Sequence, residues 1–131
     1  MPSEPRWLPL EVVITINRRE VEETGEPFGV RDDGLLEMAL MKPRNLWLYE
    51  HQDDIAVLAT ALLFGITRNH PFQQGNKRTG LTAAEVFVAL NGYKLEVPDG
   101  DLLANAILDV ITERASEEEF SEAMRVFVRS L

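Results

Sequence analysis

Apolar residues recur along this chain at the spacing of amphipathic helices, and acidic or hydroxyl residues precede most of the apolar runs. Gly and Pro fall mostly between these runs, where they end helices. The pattern predicts an all-α fold, a compact single-domain helical bundle over residues 1–131. We expect its helices to begin at Pro9, Asp32–Gly34, Asp53 or Asp54, Asn76, Asp99–Asp101 and Ser116.

Two of the predicted helices belong at the centre of the bundle. The segment that ends near Asn69 is apolar on nearly every side, which is the composition of a buried helix. His70-Pro71 ends it, because a residue before proline avoids the α region. A second buried helix runs from about Asn76 to Leu90, so that a tight loop joins the two central helices.

Three further segments are less regular. Val12–Ile16 is β-branched and could form a strand, but the polar run after it favours one helix up to Gly25. Lys42-Pro43 is expected to stop the second helix. Asn45–Glu50 is then short and aromatic, and we expect it to form one arm of a small β-hairpin. The last helix is predicted to bury Phe120, Met124, Phe127 and Leu131.

The acidic composition limits the function classes. The formal net charge is -9, whereas a general nucleic-acid binder would show a basic footprint. No Asp or Glu occurs in the window Ile55–Ala84, which contains His70 and three cationic residues. Part of this window is apolar core, but the part around His70–Arg78 predicts a local anion site on an acidic protein.

The start of the chain, its most apolar stretch and its lack of cysteine indicate the compartment. The start of the chain lacks the basic and apolar regions of a signal peptide, and the most apolar stretch, Ile55–Ile66, is too short to span a bilayer. The chain has no cysteine, which removes disulfides and zinc–thiolate sites. We therefore expect a cytoplasmic protein with no membrane partner and no direct nucleic-acid partner.

The candidate chemistry lies in His70–Gly80, which reads His-Pro-Phe-Gln-Gln-Gly-Asn-Lys-Arg-Thr-Gly. Gly75 lets the backbone approach a ligand, and the first turn of the next helix offers free N–H groups and a positive dipole end. Lys77 and Arg78 add two cations for a phosphate. His70 titrates near neutral pH, which makes it the candidate general base.

The same residue types also have interpretations other than an anion site. A histidine before proline is often only a helix cap, and two cations at a helix start can be solvated surface charge. A P-loop would need Lys followed by Ser or Thr after a strand, whereas Arg78 follows Lys77 here. His51 has no helical relation to His70, so a two-histidine metal site is unsupported.

Three segments resemble a known family. His70–Thr79 resembles the Fic/Doc signature, H-x-F-x-[D/E]-G-N-[G/K]-R, in the form with Lys before Arg that is typical of the death-on-curing (Doc) branch. Gly29–Leu40, which begins Gly-Val-Arg-Asp-Asp-Gly-Leu-Leu-Glu, resembles a second Doc segment, and Phe64–Asn69 is also similar to Doc proteins. The resemblance covers roughly residues 8 to 95.

The resemblance implies a helical fold in which His70 deprotonates a target hydroxyl. The turn that would hold the phosphates of ATP consists of Gly75, Asn76, Lys77 and Arg78. A hairpin flap would dock the target, and the candidates for it are Leu46, Trp47, Leu48 and Tyr49.

The resemblance also implies a biological role. Doc toxins are similar to kinases in outcome, because they phosphorylate a threonine of a translation factor, elongation factor Tu, and so stall translation. A partner antitoxin restrains them. The chain carries no self-inhibitory [S/T]-x-x-x-E-[G/N] stretch, which is consistent with inhibition in trans.

One position departs from the family pattern. The acidic residue that binds Mg²⁺ on the phosphates is Gln74 here, and an amide oxygen brings no charge to a cation that prefers carboxylates. Our hypothesis is that metal-assisted transfer is weakened, or that the chain is a nucleotide- or protein-binding module with little turnover. AMP transfer is disfavoured, because AMP-transferring relatives carry a second Arg where Leu81 stands.

Overall fold

The computed structural model describes residues 3–131, and these form six helices and two short strands. The helices are α1 (Leu10–Thr24), α2 (Asp33–Glu50), α3 (Ile55–Asn69), α4 (Asn76–Leu90), α5 (Leu102–Ile111) and α6 (Glu117–Arg125). The strands are β1 (Tyr93–Leu95) and β2 (Val128–Ser130), which pair antiparallel with Leu95 opposite Val128. The predicted all-α fold is therefore confirmed.

Helix α3 lies at the centre, as its composition predicts. It is buried from Leu58 to Thr67 and packs against α2, α4 and α6, while α1 covers α4. Gly80 allows the closest of these approaches, because a Cβ there would come 2.8 Å from the Leu63 carbonyl oxygen. The two central helices are thus held at backbone contact, which fixes the geometry of the loop between them.

Side-chain caps begin three of the helices where the sequence predicts them. The Asp32 carboxylate accepts a hydrogen bond from Leu35 N at 3.0 Å, and Asp54 accepts one from Ala56 N at 2.9 Å. Ser116 forms a capping box at the start of α6. Because each cap satisfies an N–H group that has no helical partner, these boundaries are set locally.

The prediction that Lys42-Pro43 stops the second helix is wrong. Pro43 lies buried inside α2, which continues to Glu50. A proline inside a helix leaves the carbonyl four residues earlier without its usual donor. Here that carbonyl belongs to Ala39, and it faces Gly65 of α3, where a Cβ would come 3.1 Å from the oxygen. Tight packing of α2 on α3 therefore outweighs the local cost of the proline.

The hairpin predicted at Asn45–Glu50 is also wrong, because these residues form the last turns of α2. The β-structure lies near the C-terminal end instead, where the last helix ends at Arg125 and the chain returns as β2 beside β1. Phe120 and Met124 are buried as predicted, but Phe127 is only partly buried and Leu131 is 74% exposed. Within residues 3–131, no helix combines the length and apolar character needed to cross a membrane.

Candidate functional site

The α3–α4 loop gathers the residues that the sequence singled out. His70 and Gly75 both adopt left-handed backbone conformations, with φ of 49° and 73°, and so turn the chain sharply between the two helices. An open cavity of about 440 Å³ lies over this turn. The residues that line it are His70, Gln73, Gln74, Gly75, Asn76, Lys77 and Arg78.

Asn76 holds the loop in shape from the first position of α4. Its Oδ1 accepts a hydrogen bond from Phe72 N at 3.0 Å, and its Nδ2 donates to the Phe72 carbonyl at 2.9 Å. Phe72 is 1% exposed and anchors the loop in the core. The Asn76 side chain therefore serves the loop itself, and the backbone N–H groups of this first helical turn are what remains for an anion.

The same amide faces the imidazole of His70. Asn76 Nδ2 lies 3.4 Å from His70 Nδ1. The hydrogen bonds of the Asn76 side chain to Phe72 fix the orientation of the amide, so its NH₂ group and not its oxygen faces the ring. An N–H directed at Nδ1 favours the tautomer that carries its proton on Nε2. The separation is long for a hydrogen bond, so this preference is weak. The imidazole is exposed and open to the cavity.

Helix α1 supports the other half of the loop through Asn17, a residue that the sequence did not single out. Asn17 is fully buried, and its Nδ2 donates to the Gln74 carbonyl at 2.8 Å and to Thr79 Oγ1 at 3.0 Å. Its Oδ1 has no hydrogen-bond partner among residues 3–131. A polar residue on the buried face of an amphipathic helix was the available signal.

Arg78 is engaged by acidic and polar groups at the end of α1. Its guanidinium forms an ion pair with Glu26, and it lies 3.4 Å from both Thr24 Oγ1 and the Glu20 carbonyl. The hydrogen bond from Thr24 and the guanidinium of Arg78 hold the pKa of the Glu26 carboxyl below its usual range. The predicted phosphate-binding arginine thus already has an anionic partner, whereas Lys77 is exposed.

The segment Gly29–Asp32 borders the His70 side of the loop. Arg31 N and Asp32 N donate to the Pro71 carbonyl at 2.7 and 3.1 Å, and Gln73 N donates to the Gly29 carbonyl at 2.9 Å. The signal that could have revealed this contact was the second family-like segment, whose role the sequence left unassigned.

The four residues predicted to form a flap do not line the cavity. Leu46 and Trp47 pack against the core from α2, while Leu48 and Tyr49 are exposed, at 51% and 73%. They form no hairpin, because their backbone continues the helix. Their contact with a target stays a prediction.

The donor set around Gln74 does not fit a metal held by the protein. No three His, Cys, Asp or Glu residues in the range 3–131 come together to hold an ion. A larger cavity of about 830 Å³, lined partly by Arg6, Asp53 and Asn91, contains none of the motif residues. The motif residues are therefore gathered at the smaller cavity over the cationic loop and not at the larger one.

Comparisons with known proteins identify the family of the chain. The model of the Fic/DOC family matches residues 7–88. The chain is 38% identical over 72 residues to the toxin Doc of Mycolicibacterium smegmatis, a match that covers 54% of this chain and 55% of that protein. It is 26% identical over 120 residues to the protein kinase doc of Escherichia phage P1, with 92% and 94% covered. The chain thus spans about half of the first relative and nearly all of the second.

Proposed function

We propose, from the premise that this chain belongs to the Fic/DOC family, that it is a Doc-type toxin with phosphotransferase activity. The substrate would be ATP, and the acceptor a hydroxyl group, that of a threonine, on a translation factor such as elongation factor Tu. The observation that carries the proposal is the single cavity shared by His70 and the cationic start of α4. The names of the two relatives, a toxin and a protein kinase, support it.

His70 would act as the general base. As the target oxygen bonds to the γ-phosphorus of ATP, the bond from that phosphorus to the β,γ-bridging oxygen breaks and ADP leaves. The imidazole accepts the proton that the hydroxyl loses. Nε2 can accept this proton only when the ring carries its own proton on Nδ1, which is the tautomer opposite to the one that Asn76 favours. Because Asn76 Nδ2 and His70 Nδ1 are 3.4 Å apart, their weak contact is lost at little cost.

The start of α4 would hold the phosphates. Backbone N–H groups at a helix N-terminus and the positive end of its dipole bind anions, and Gly75 keeps the approach open. Lys77 would add a point charge and Arg78 a planar pair of donors. Binding would draw Arg78 away from Glu26, so the phosphates compete with a carboxylate of this same chain.

In this proposal no residue of the protein holds Mg²⁺. Gln74 is the motif position that would contact it, and a neutral amide is a poor substitute for a carboxylate. We propose that any Mg²⁺ enters with ATP, held by the phosphates, and we assign no step to it.

A cognate antitoxin acting in trans is part of the same proposal. The toxin named among the relatives supports membership of a toxin–antitoxin system. We expect the antitoxin to be a separate protein and the target to be a protein, with no nucleic-acid contact.

The deciding experiment uses ATP labelled at the α or the γ phosphate, incubated with the purified chain and a cell lysate. Transfer of the γ label to a protein supports the phosphotransferase, and transfer of the α label would mean AMP transfer instead. The matched control is His70→Ala, which should lower transfer by about 100- to 10,000-fold, the usual contribution of a general base. If neither the α label nor the γ label is transferred to a protein, the proposal is overturned.

A second candidate function is a nucleotide- or protein-binding module with little turnover. Gln74 and the occupied Arg78 favour it. Gln74→Asp separates the two candidates, since restoring a carboxylate should raise transfer several-fold and make it more dependent on Mg²⁺. If the native chain already transfers phosphate at full rate and Gln74→Asp brings no gain, the idea of a weakened enzyme fails.

A further inference from the structure

The segment Gly29–Asp32 has no role in the proposed phosphate transfer, yet it is hydrogen-bonded directly to the α3–α4 loop. Its backbone runs antiparallel to Pro71–Gln73, and Val30 and Phe72 form the bridge between the two stretches. The bonds involve backbone N–H and carbonyl groups, so they persist whatever side chain the segment carries. The guanidinium of Arg31 then adds contacts that backbone pairing does not explain.

Arg31 binds the carbonyl groups at the very end of α3. Its Nε donates to the His70 carbonyl at 2.7 Å, and its Nη2 donates to the Asn69 carbonyl at 3.1 Å. The last carbonyls of a helix have no helical partner and form its negative end, where a cation is favourable. One planar side chain thus grips two consecutive peptide groups, one of which is that of the proposed base.

The conformation of His70 explains why such a grip matters. With φ of 49° and ψ of 54°, His70 lies in the left-handed region, which is unfavourable for a residue with a Cβ. A residue held there persists only when its surroundings determine it. Its own backbone N–H reaches the Ile66 carbonyl at 3.2 Å, and the guanidinium fixes the carbonyl on the other side of the same residue.

We infer that Arg31 is a positioning residue for His70: it holds the His70 peptide in the left-handed conformation that directs the imidazole into the cavity. This inference rests on the proposed function. A purely structural role is less consistent with the contacts, because the start of α2 is held without the guanidinium. Asp32 caps that helix, and Asn69 Nδ2 donates to the Leu35 carbonyl at 3.0 Å.

Nuclear magnetic resonance of the ¹⁵N-labelled imidazoles tests this positioning without any enzyme assay. The chain has two histidines, and His51 offers an internal control, because it is also exposed and left-handed, with φ of 55°, at the end of α2. Arg31→Ala should shift the imidazole and backbone resonances of His70 and leave those of His51 in place. Arg31→Lys, which keeps the charge but lacks the planar fork of donors, should give a smaller shift.

Kinetics supply the second readout. Arg31→Ala should lower kcat for phosphate transfer by about 10- to 100-fold, the effect of a misplaced reacting group, and leave KM for ATP within about twofold. Arg31→Lys should recover part of kcat. The matched control is Arg19→Ala, an exposed arginine of α1 with no ion pair or hydrogen bond among the described residues.

The two readouts distinguish the possible failures. Unchanged His70 resonances in Arg31→Ala, or a kcat within twofold of the native value, would overturn the positioning role. A midpoint of urea unfolding that falls together with kcat, with no recovery in Arg31→Lys, would also overturn it in favour of a structural role. If the native chain transfers no phosphate, the proposed function fails, and the resonance experiment still decides whether Arg31 orients His70.

Discussion

The two ends of the His70–Arg78 loop are held by different kinds of contact. At the His70 end, the partners are backbone groups, the Asn76 amide and a guanidinium on two carbonyls. At the Arg78 end, the partners are the Glu26 carboxylate, a hydroxyl and a carbonyl at the end of α1. The contacts at the His70 end fix the geometry of the backbone, and the contacts at the Arg78 end engage the charge of the guanidinium.

This difference shows how one short loop meets two requirements. A general base needs a defined position, since proton transfer depends on reach and direction. A phosphate-binding arginine needs its charge, which an exposed ion pair weakens only modestly because water screens it. Changes at the His70 end should therefore alter turnover, while changes at the Arg78 end should alter nucleotide affinity and its dependence on salt and pH.

The largest expected effect on binding is that of Arg78→Ala. Loss of a charge-assisted, two-donor contact worth about 1.5–3 kcal/mol should weaken ATP binding about 10- to 100-fold. Titration calorimetry measures the affinity, with Arg19→Ala as the control. An affinity within twofold of the native value would place the phosphates elsewhere and remove the contrast between the two ends.

Asn17→Ala should have the next largest effect, on stability. The Gln74 carbonyl and Thr79 Oγ1 would each lose a buried donor, which costs about 1–3 kcal/mol in the free energy of unfolding. Urea unfolding measures the change, and Thr15→Ala on the exposed face of α1 is the control. If Asn17→Ala leaves both stability and ATP affinity unchanged, then α1 does not shape the middle of the loop.

The smallest effect should come from Glu26→Gln, which removes the carboxylate that engages Arg78. ATP affinity should rise about two- to fivefold at low salt, and the gain should shrink at high salt because the pair is partly exposed and therefore screened. Equal affinities of the native chain and the variant at low salt would mean that Glu26 does not compete with the phosphates.

The pH dependence of the same pair has a definite sign. Folding lowers the pKa of Glu26, through Thr24 first and Arg78 second, so the folded state favours the charged carboxylate. Its contribution to stability is complete above the unfolded pKa of about 4.3 and disappears as the pH falls through the lower folded value. The native chain and Glu26→Gln should therefore converge in stability below that range, as acid unfolding curves would reveal.

Much of the site was predictable because it is local in the chain. A run of apolar residues, the His70-Pro71 break and Gly75 place the base and the cations at one turn. The structure brings these residues around one cavity, as their spacing indicates. Asn17, Glu26 and Arg31 were missed, because each reaches the loop from a distant part of the chain and the sequence does not show which distant groups meet.

The errors have a similar origin. Pro43 is a helix breaker by local rules, and the sequence therefore predicted a stop and a hairpin after it. The structure continues α2 through Pro43 because the packing of α2 on the central helix outweighs the loss of one helical hydrogen bond. Packing between helices decided this, and the same applies to the sheet formed by two strands that lie far apart in the chain.

By itself, the sequence determined where the helices begin, the burial of α3 and the loop that joins it to α4, since these depend on neighbouring residues and on helical periodicity. The tertiary structure alone decided which distant groups hold the loop: Arg31 on the carbonyls of Asn69 and His70, and Glu26 on Arg78. Hydrogen bonds and ion pairs depend on distances of a few ångströms between groups that only folding brings together.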